Sequence, residues 1–179
     1  MFNNNNNSSI IKGHHMWIIL IIIIVGIGIL SRTSFEIRDD IEINASTDKV
    51  WETIIDFENY KNWNSQLMYI GGKVEPNGKL HLKLAVSGSD PYEFKPNISY
   101  WQERKTFAWI AKTGLPRIFD GEHFFELNDL GNGRTLLTNR EEYRGVLSQL
   151  FRQLPMMKTA PEGFKKMNLE LKHYIESQN

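Results

Sequence analysis

The stretch FEIRDDIEINASTDKVWETIIDFENYKNWN, residues 35–64, decides the fold. Phe35, Ile37, Ile41 and Ile43 alternate with mostly charged residues, the period-two pattern of a strand with one buried face. Ser46, Thr47 and Asp48 then offer side-chain oxygens that can accept from the free N–H groups of a starting helix. Val50, Trp51, Ile54 and Ile55 follow at helical spacing, which predicts a short amphipathic helix. Phe57 to Trp63 reads as a second short helix or turn.

Downstream the period returns to two. Leu67 to Val74 is apolar enough for a strand, and Leu80, Leu82, Leu84 and Val86 alternate with His81, Lys83 and Ala85. Tyr92 to Ile98 makes another run, in which Pro96 suggests an edge or a bulge because proline donates no ladder hydrogen bond. Thr106–Ala111, Glu122–Leu127 and Thr135–Tyr143 complete the strands. Asp129-Leu130-Gly131-Asn132-Gly133 between the last two is a hairpin turn, not a phosphate loop, because no helix follows it. The short connections predict antiparallel neighbours. Leu147, Leu150, Phe151 and Leu154 form a helical stripe that Pro155 and Pro161 are expected to break. Phe164, Met167, Leu171, Tyr174 and Ile175 mark a final helix.

The chain has 179 residues, with 41% apolar and 23% charged, enough for one packed domain and an appendage. Basic and acidic side chains number 21 each, so no strongly basic surface calls for a nucleic acid, and none is expected as a partner. The absence of cysteine excludes disulfide scaffolds, thiolate metal sites and thiol nucleophiles.

At the N-terminus, residues 1–15 read as a disordered Asn-rich tail, since Asn3–Asn7, Ser8 and Ser9 bury no apolar area. Met16–Leu30, MWIILIIIIVGIGIL, carries no charge. As a helix these residues rise roughly 22 Å, against a hydrocarbon core about 30 Å thick. They reach across only if His14, His15 and Ser31 join the ends. Apolar residues on every face argue against a core helix, and a poor cleavage site argues against a signal peptide. Residues 16–31 are therefore expected to be a single-pass transmembrane signal anchor, with the domain on the cytosolic side. Two glycosylation sequons, at Asn44 and Asn97, are of the kind chance supplies in an asparagine-rich chain.

The order of strand, Ala45-Ser46-Thr47 entry and VWETIIDFENYKNWN resembles the opening of the START-like, or SRPBCC, superfamily, which includes polyketide cyclase/dehydrase-like proteins. FDGEHFFEL, the turn before Gly133-Arg134-Thr135, EEYRG and the terminal GFKKMNLELKHYIE strengthen the likeness. The resemblance covers residues 34–177 and is closest to uncharacterised branches. It implies an α+β helix-grip fold, a curved antiparallel sheet around a long C-terminal helix, with an apolar cavity between them. It implies a bound apolar small molecule and no particular reaction. No Rieske or iron-site ligand set maps onto this chain, and no cofactor or metal is expected.

Strand parity nominates the polar groups of such a cavity. His123 shares a face with Phe125 and Leu127, and an imidazole there can bind a ligand or move a proton. The competing reading is a core histidine bonded to a neighbouring strand. Leu137, Asn139, Glu141 and Tyr143 share another face, and Glu141 in an apolar cavity would have a raised pKa. Its competing reading is a salt bridge with Arg104, Arg140 or Lys166. Trp109 pairs in parity with Phe107, and Met167 lies on the closing helix, where a thioether can fill a gap or follow a ligand's shape. The expected ligand-binding set is Trp109, His123, Phe125, Asn139, Glu141 and Met167. The expected function is a membrane-tethered binding module for a lipid or isoprenoid. The alternatives are a cyclase- or dehydratase-like enzyme using His123 and Glu141, and a ligand-free interaction module assisting a membrane protein.

Overall fold

The computed structural model describes residues 6–85 and 90–178, with side chains from 16 onward. An N-terminal helix, α1 (Asn6–Leu30), is followed by β1 (Ser34–Ile43) and α2 (Thr47–Ile55). A short 3-10 helix (Phe57–Asn62) leads into β2 (Leu67–Gly72), β3 (Leu80–Leu84) and β4 (Tyr92–Phe94). The chain continues through β5 (Asn97–Gln102), β6 (Thr106–Thr113), β7 (Phe119–Gly131) and β8 (Arg134–Arg144). It closes with a one-turn helix, α3 (Ser148–Phe151), and the long α4 (Pro155–Glu176).

All strand pairs are antiparallel. Five strands form one sheet in the order β1-β8-β7-β6-β5, and β2-β3-β4 form a second. The two abut where Lys79 bridges Asn97 and Ile98 N–H donates to Gly78 O at 2.8 Å. The run expected over Tyr92–Ile98 is thus two strands in two sheets. Proline at 96 has no N–H to continue a ladder, but its carbonyl accepts from Leu80 N–H at 2.9 Å and joins the sheets.

The local signals act as their chemistry dictates. Ser46 caps α2 by accepting from Lys49 N–H at 3.3 Å. Such a cap contributes about 1 kcal/mol. In the β7–β8 turn Gly131, Asn132 and Gly133 take φ of 76°, 55° and 70°, the left-handed region that Gly and Asn enter at least cost. Pro155 opens α4, where its missing N–H costs nothing. Pro161 does not break the helix as expected: it lies inside α4, whose apolar stripe outweighs one lost backbone bond.

α4 packs along β1 with Phe164, Met167, Leu171 and Ile175 buried. Asn168, also fully buried, donates to Asp39 Oδ2 at 2.8 Å and to Asp39 O at 3.1 Å, and so fixes α4 along β1. Two buried clusters result. The larger gathers α2, the 3-10 helix, both sheets and the C-terminal half of α4 around Phe57, Tyr60 and Phe107. The smaller joins Ile37, Phe119, Tyr143 and Phe164 near the start of β1.

Residues 6–15, expected to be disordered, continue α1. A helix once nucleated extends by one hydrogen bond per residue, and the apolar run supplies the nucleus. Residues 1–5 lie outside the described residues. A transmembrane helix over 16–31 is the expectation from the sequence; among the described residues no helix is long and apolar enough to cross a membrane. Met16, Trp17 and the isoleucines, valine and leucines from Ile18 to Leu30 are all exposed.

Candidate functional site: a cavity between sheet and helix

Between the smaller cluster, the concave face of the large sheet and α4 lies a cavity of about 860 Å³. Its floor comes from β6, β7 and β8 through Trp109, His123, Glu141 and Tyr143. Its lid is α4, through Met157, Phe164 and Met167, and its far wall includes Leu67, Leu84, Tyr92 and Phe94 of the small sheet. Register places the polar floor together. His123 stands opposite Trp109 on one side and Glu141 on the other, and Gly121 stands opposite Tyr143.

His123 is 6% exposed and lies between two rings. Trp109 stacks on it at 4.5 Å and 14°, and Phe164 lies at 5.1 Å and 22°. This sandwich fixes the imidazole plane. Nδ1 lies 3.8 Å from Glu141 Oε2, and Nε2 has no hydrogen-bond partner among the described residues. A buried donor or acceptor without a partner costs about 1–3 kcal/mol, so the site favours an occupant that can pair with it. Gln66 Oε1, also on the cavity wall, is another buried atom in this condition.

The Tyr143 hydroxyl donates to Glu141 Oε2 at 2.7 Å. Burial first, and the Glu141 charge second, push the Tyr143 hydroxyl well above its ordinary value. The same two causes, in the same order, raise Tyr92 across the cavity. Both phenols therefore remain protonated donors at neutral pH. Gly121 makes the arrangement possible, because a Cβ there would meet Glu141 Oε1 at 2.7 Å and Tyr143 Cε1 at 3.3 Å.

Trp109, His123, Glu141 and Met167 of the expected set line the cavity. Phe125 and Asn139 have the expected parity but lie outside it. Phe125 packs in the larger cluster, and Asn139 is covered by α4, donating to Asn168 Oδ1 at 2.9 Å. Parity names a face, and α4 decides which part of that face stays open. The salt bridge considered for Glu141 does not form. Arg140 pairs with Glu126 and Glu36, Arg104 with Asp48 and Glu103, and Lys166 with Glu170. His81, outside the cavity, is partly exposed and paired with Glu93 at 2.9 Å. Sequence reasoning passed over Tyr143 and Gly121 as site residues. Tyr143 shares parity with Glu141, and that signal was sufficient to include it. No group of three or more His, Asp or Glu among the described residues could hold a metal.

A family model described as polyketide cyclase / dehydrase and lipid transport matches residues 34–176. The chain belongs to this family. Solved structures agree on the START-like fold. A START superfamily protein from Mycobacterium smegmatis is 21% identical with a TM-score of 0.62, over 80% of this chain and 99% of that one. Norcoclaurine synthase from Thalictrum flavum, solved with dopamine and hydroxybenzaldehyde, is 15% identical with a TM-score of 0.63, over 84% and 91%. An aromatase/cyclase from a Streptomyces species is 12% identical with a TM-score of 0.60, over 80% and 94%. At these identities the likeness is one of fold. No match is found among curated proteins.

Proposed function

We propose that the chain is a membrane-tethered binding module that carries an apolar small molecule, a lipid or isoprenoid, in the cavity between sheet and α4. The observation that carries this reading is the buried, unpartnered Nε2 of His123 on the wall of a cavity of about 860 Å³. That volume falls within the range of about 300–1,000 Å³ common for ligand sites, and an apolar lining with a few convergent polar groups is their usual character. Apolar walls remove the ligand's body from water. His123, with Glu141 and Tyr143 beside it, would receive one polar group and set the orientation. The ligand-free interaction module loses ground, because it calls for a filled core.

The tether is α1. Its apolar part from 16 to 30 would rise roughly 22 Å, short of a full crossing by itself, and is exposed along its length. Joined at its ends by His14, His15 and Ser31 at the headgroup level, this helix would anchor one pass, the domain lying on the cytosolic side. Tethering would hold the domain at a high effective concentration beside a membrane-dissolved ligand.

A second reading, a cyclase- or dehydratase-like enzyme, is favoured by the contact of Glu141 with both Tyr143 and His123 inside the cavity. Nε2 would then be the atom that takes or gives the proton, with Glu141 stabilising the charged ring. Native mass spectrometry of the detergent-solubilised full chain tests the first reading. A stoichiometric apolar adduct, lost when Trp109→Ala and Met167→Ala are combined, is the expected result. A chain that releases no adduct and takes up no fatty acid, sterol or prenol would refute it. Recovery of an added ligand in chemically altered form would instead select the enzyme.

A further inference from the structure

The tether and the cavity meet at one end of the domain. β1 begins there at Ser34 and β8 ends there at Arg144, and the β6–β7 turn lies there between Thr113 and Phe119. Thr33, three residues beyond α1, is stapled to α3. Its Oγ1 lies 2.8 Å from Ser148 Oγ, and its carbonyl accepts from Gly145 N–H at 3.2 Å. Phe151 of α3 and Phe119 of β7 stack at 4.1 Å, and both line the cavity. The residues that follow the apolar helix are therefore bonded to the rim of the cavity.

That rim carries exposed leucines. Leu115 in the β6–β7 turn is 73% exposed, Leu150 on α3 is 64% exposed, and Leu154 follows at the start of α4. The turn and α3 are joined by Val146 N–H to Arg117 O at 2.9 Å and Leu147 N–H to Ile118 O at 3.0 Å. On the same segments stand Arg32 after α1, Lys112 at the end of β6, Arg117 in the β6–β7 turn, Arg152 after α3 and Lys158 at the start of α4, none in an ion pair among the described residues. Of the acids here, Asp120 accepts from Arg117 N–H, and Glu122 and Glu142 are held by Arg144. Glu141 and Glu162, both on the cavity wall, are the other acids at this end. The cations on these segments are thus free to meet an anionic surface, while Arg144 is taken up by Glu122 and Glu142.

We propose that this end of the domain rests on an anionic bilayer, with Leu115, Leu150 and Leu154 in the headgroup–acyl boundary, so that the cavity opens onto the membrane. The proposal rests on the tether reading above. Apolar side chains ringed by cations fit such a surface, because the leucines leave water while the cations meet lipid phosphate and carboxylate. The short link from Leu30 through Thr33 to Ser148 keeps the rim near the point where α1 leaves the lipid.

The chain has no cysteine, so single-cysteine variants place an environment-sensitive fluorophore at will. Full-length Leu115→Cys, Leu150→Cys, Asn132→Cys and Ile24→Cys would be labelled and reconstituted in phosphatidylcholine–phosphatidylserine vesicles containing a doxyl-labelled lipid. Asn132 marks the opposite end of the sheet, in the β7–β8 turn. The expected result is a blue shift and loss of most emission at 115, 150 and 24, with the label at 132 unaffected. Quenching at 24 with 115 and 150 behaving like 132 would overturn this proposal and leave the tether standing. No quenching at 24 would overturn the tether and the proposal together. A blue shift at 150 without lipid quenching, but with self-quenching that grows with protein density, would overturn it in favour of a second copy covering the leucines.

Discussion

Replacing Gly121 by alanine separates the site from the fold. Gly121 sits in mid-strand opposite Tyr143, and its backbone takes no left-handed conformation, so alanine meets no backbone strain. Its Cβ would lie 2.7 Å from Glu141 Oε1. That atom is the end of a flexible side chain, so the carboxylate moves aside and the strand does not. Two opposing effects on stability follow. Removing glycine from a compatible position stabilises by about 0.4–1 kcal/mol through the unfolded chain. Pulling Glu141 from Tyr143 loses a hydrogen bond to a charged group, about 1.5–3 kcal/mol at full strength and less if Tyr143 finds water in the cavity. The balance is a loss of about 1 kcal/mol, or about 2–4 °C in Tm for a domain of this size. Ligand affinity should fall further, by about tenfold if one orienting hydrogen bond of about 1.4 kcal/mol is lost. Differential scanning calorimetry, with titration of a fluorescent fatty acid or prenol, reads both quantities on one preparation. Wild-type affinity with an unchanged Tm would refute the reasoning, because it would mean that the Glu141 position matters neither to ligand nor to Tyr143.

Other substitutions address the remaining parts of the argument. Met167→Asp places a charge beside Asn139 under α4 and should lower stability by about 3 kcal/mol or more in urea unfolding, since a buried unpaired carboxylate has no solvation there. His123→Ala should weaken ligand binding by about three- to tenfold and leave Tm within a few degrees, as expected for one orienting hydrogen bond; lower Tm with unchanged binding would make His123 a packing residue. Stability should fall at both ends of the pH scale. Arg144 holds Glu142, and the Asn44 N–H holds Glu176, below their ordinary value of 4.5, so their contribution is complete above that pH and is lost as pH falls through the depressed values. Burial and Glu141 raise Tyr143 above its ordinary value of 10, so its contribution is present below pH 10 and is lost as pH rises beyond it. Urea midpoints across pH measure both limbs, and Tyr143→Phe should flatten the alkaline one.

Much of this was legible because β6, β7 and β8 pair without interruption where the site lies. The register shifts fall at Ile98/Tyr100, at Tyr69/Gly71 and at Asp129/Gly131, away from Trp109, His123 and Glu141. Alternation therefore carried from each strand's apolar residues to its polar one, and the three side chains share the concave face. A glycine inside a strand commonly marks a bulge, and Gly121 does not. It stays in register and serves instead as the space that Glu141 occupies. The final helix was legible from its stripe, yet Asn168 in the middle of that stripe was not, because its partners, Asp39 and Asn139, are distant in sequence.

What the sequence could not supply is position along the face. Phe125 and Asn139 have the same parity as His123 and Glu141 and differ from them only by two residues along β7 and β8. Those two residues carry them under the part of α4 where Met167, Asn168 and Leu171 press on the sheet. N-terminal to Phe164, from Met156 to Ala160, the helix borders the cavity instead. The boundary between packed and open is thus set by how α4 seats on β1, and that is fixed by the Asn168–Asp39 and Lys172–Glu42 bonds, each spanning most of the domain. A local pattern can choose a face, because the pleat has a strict period of two. It cannot choose a depth, because depth depends on contacts between segments whose spacing no period encodes. The same division accounts for Asp39, a polar residue at an apolar-face position of β1. It is the residue that seats the helix, and so decides how much of the sheet remains free to meet a ligand.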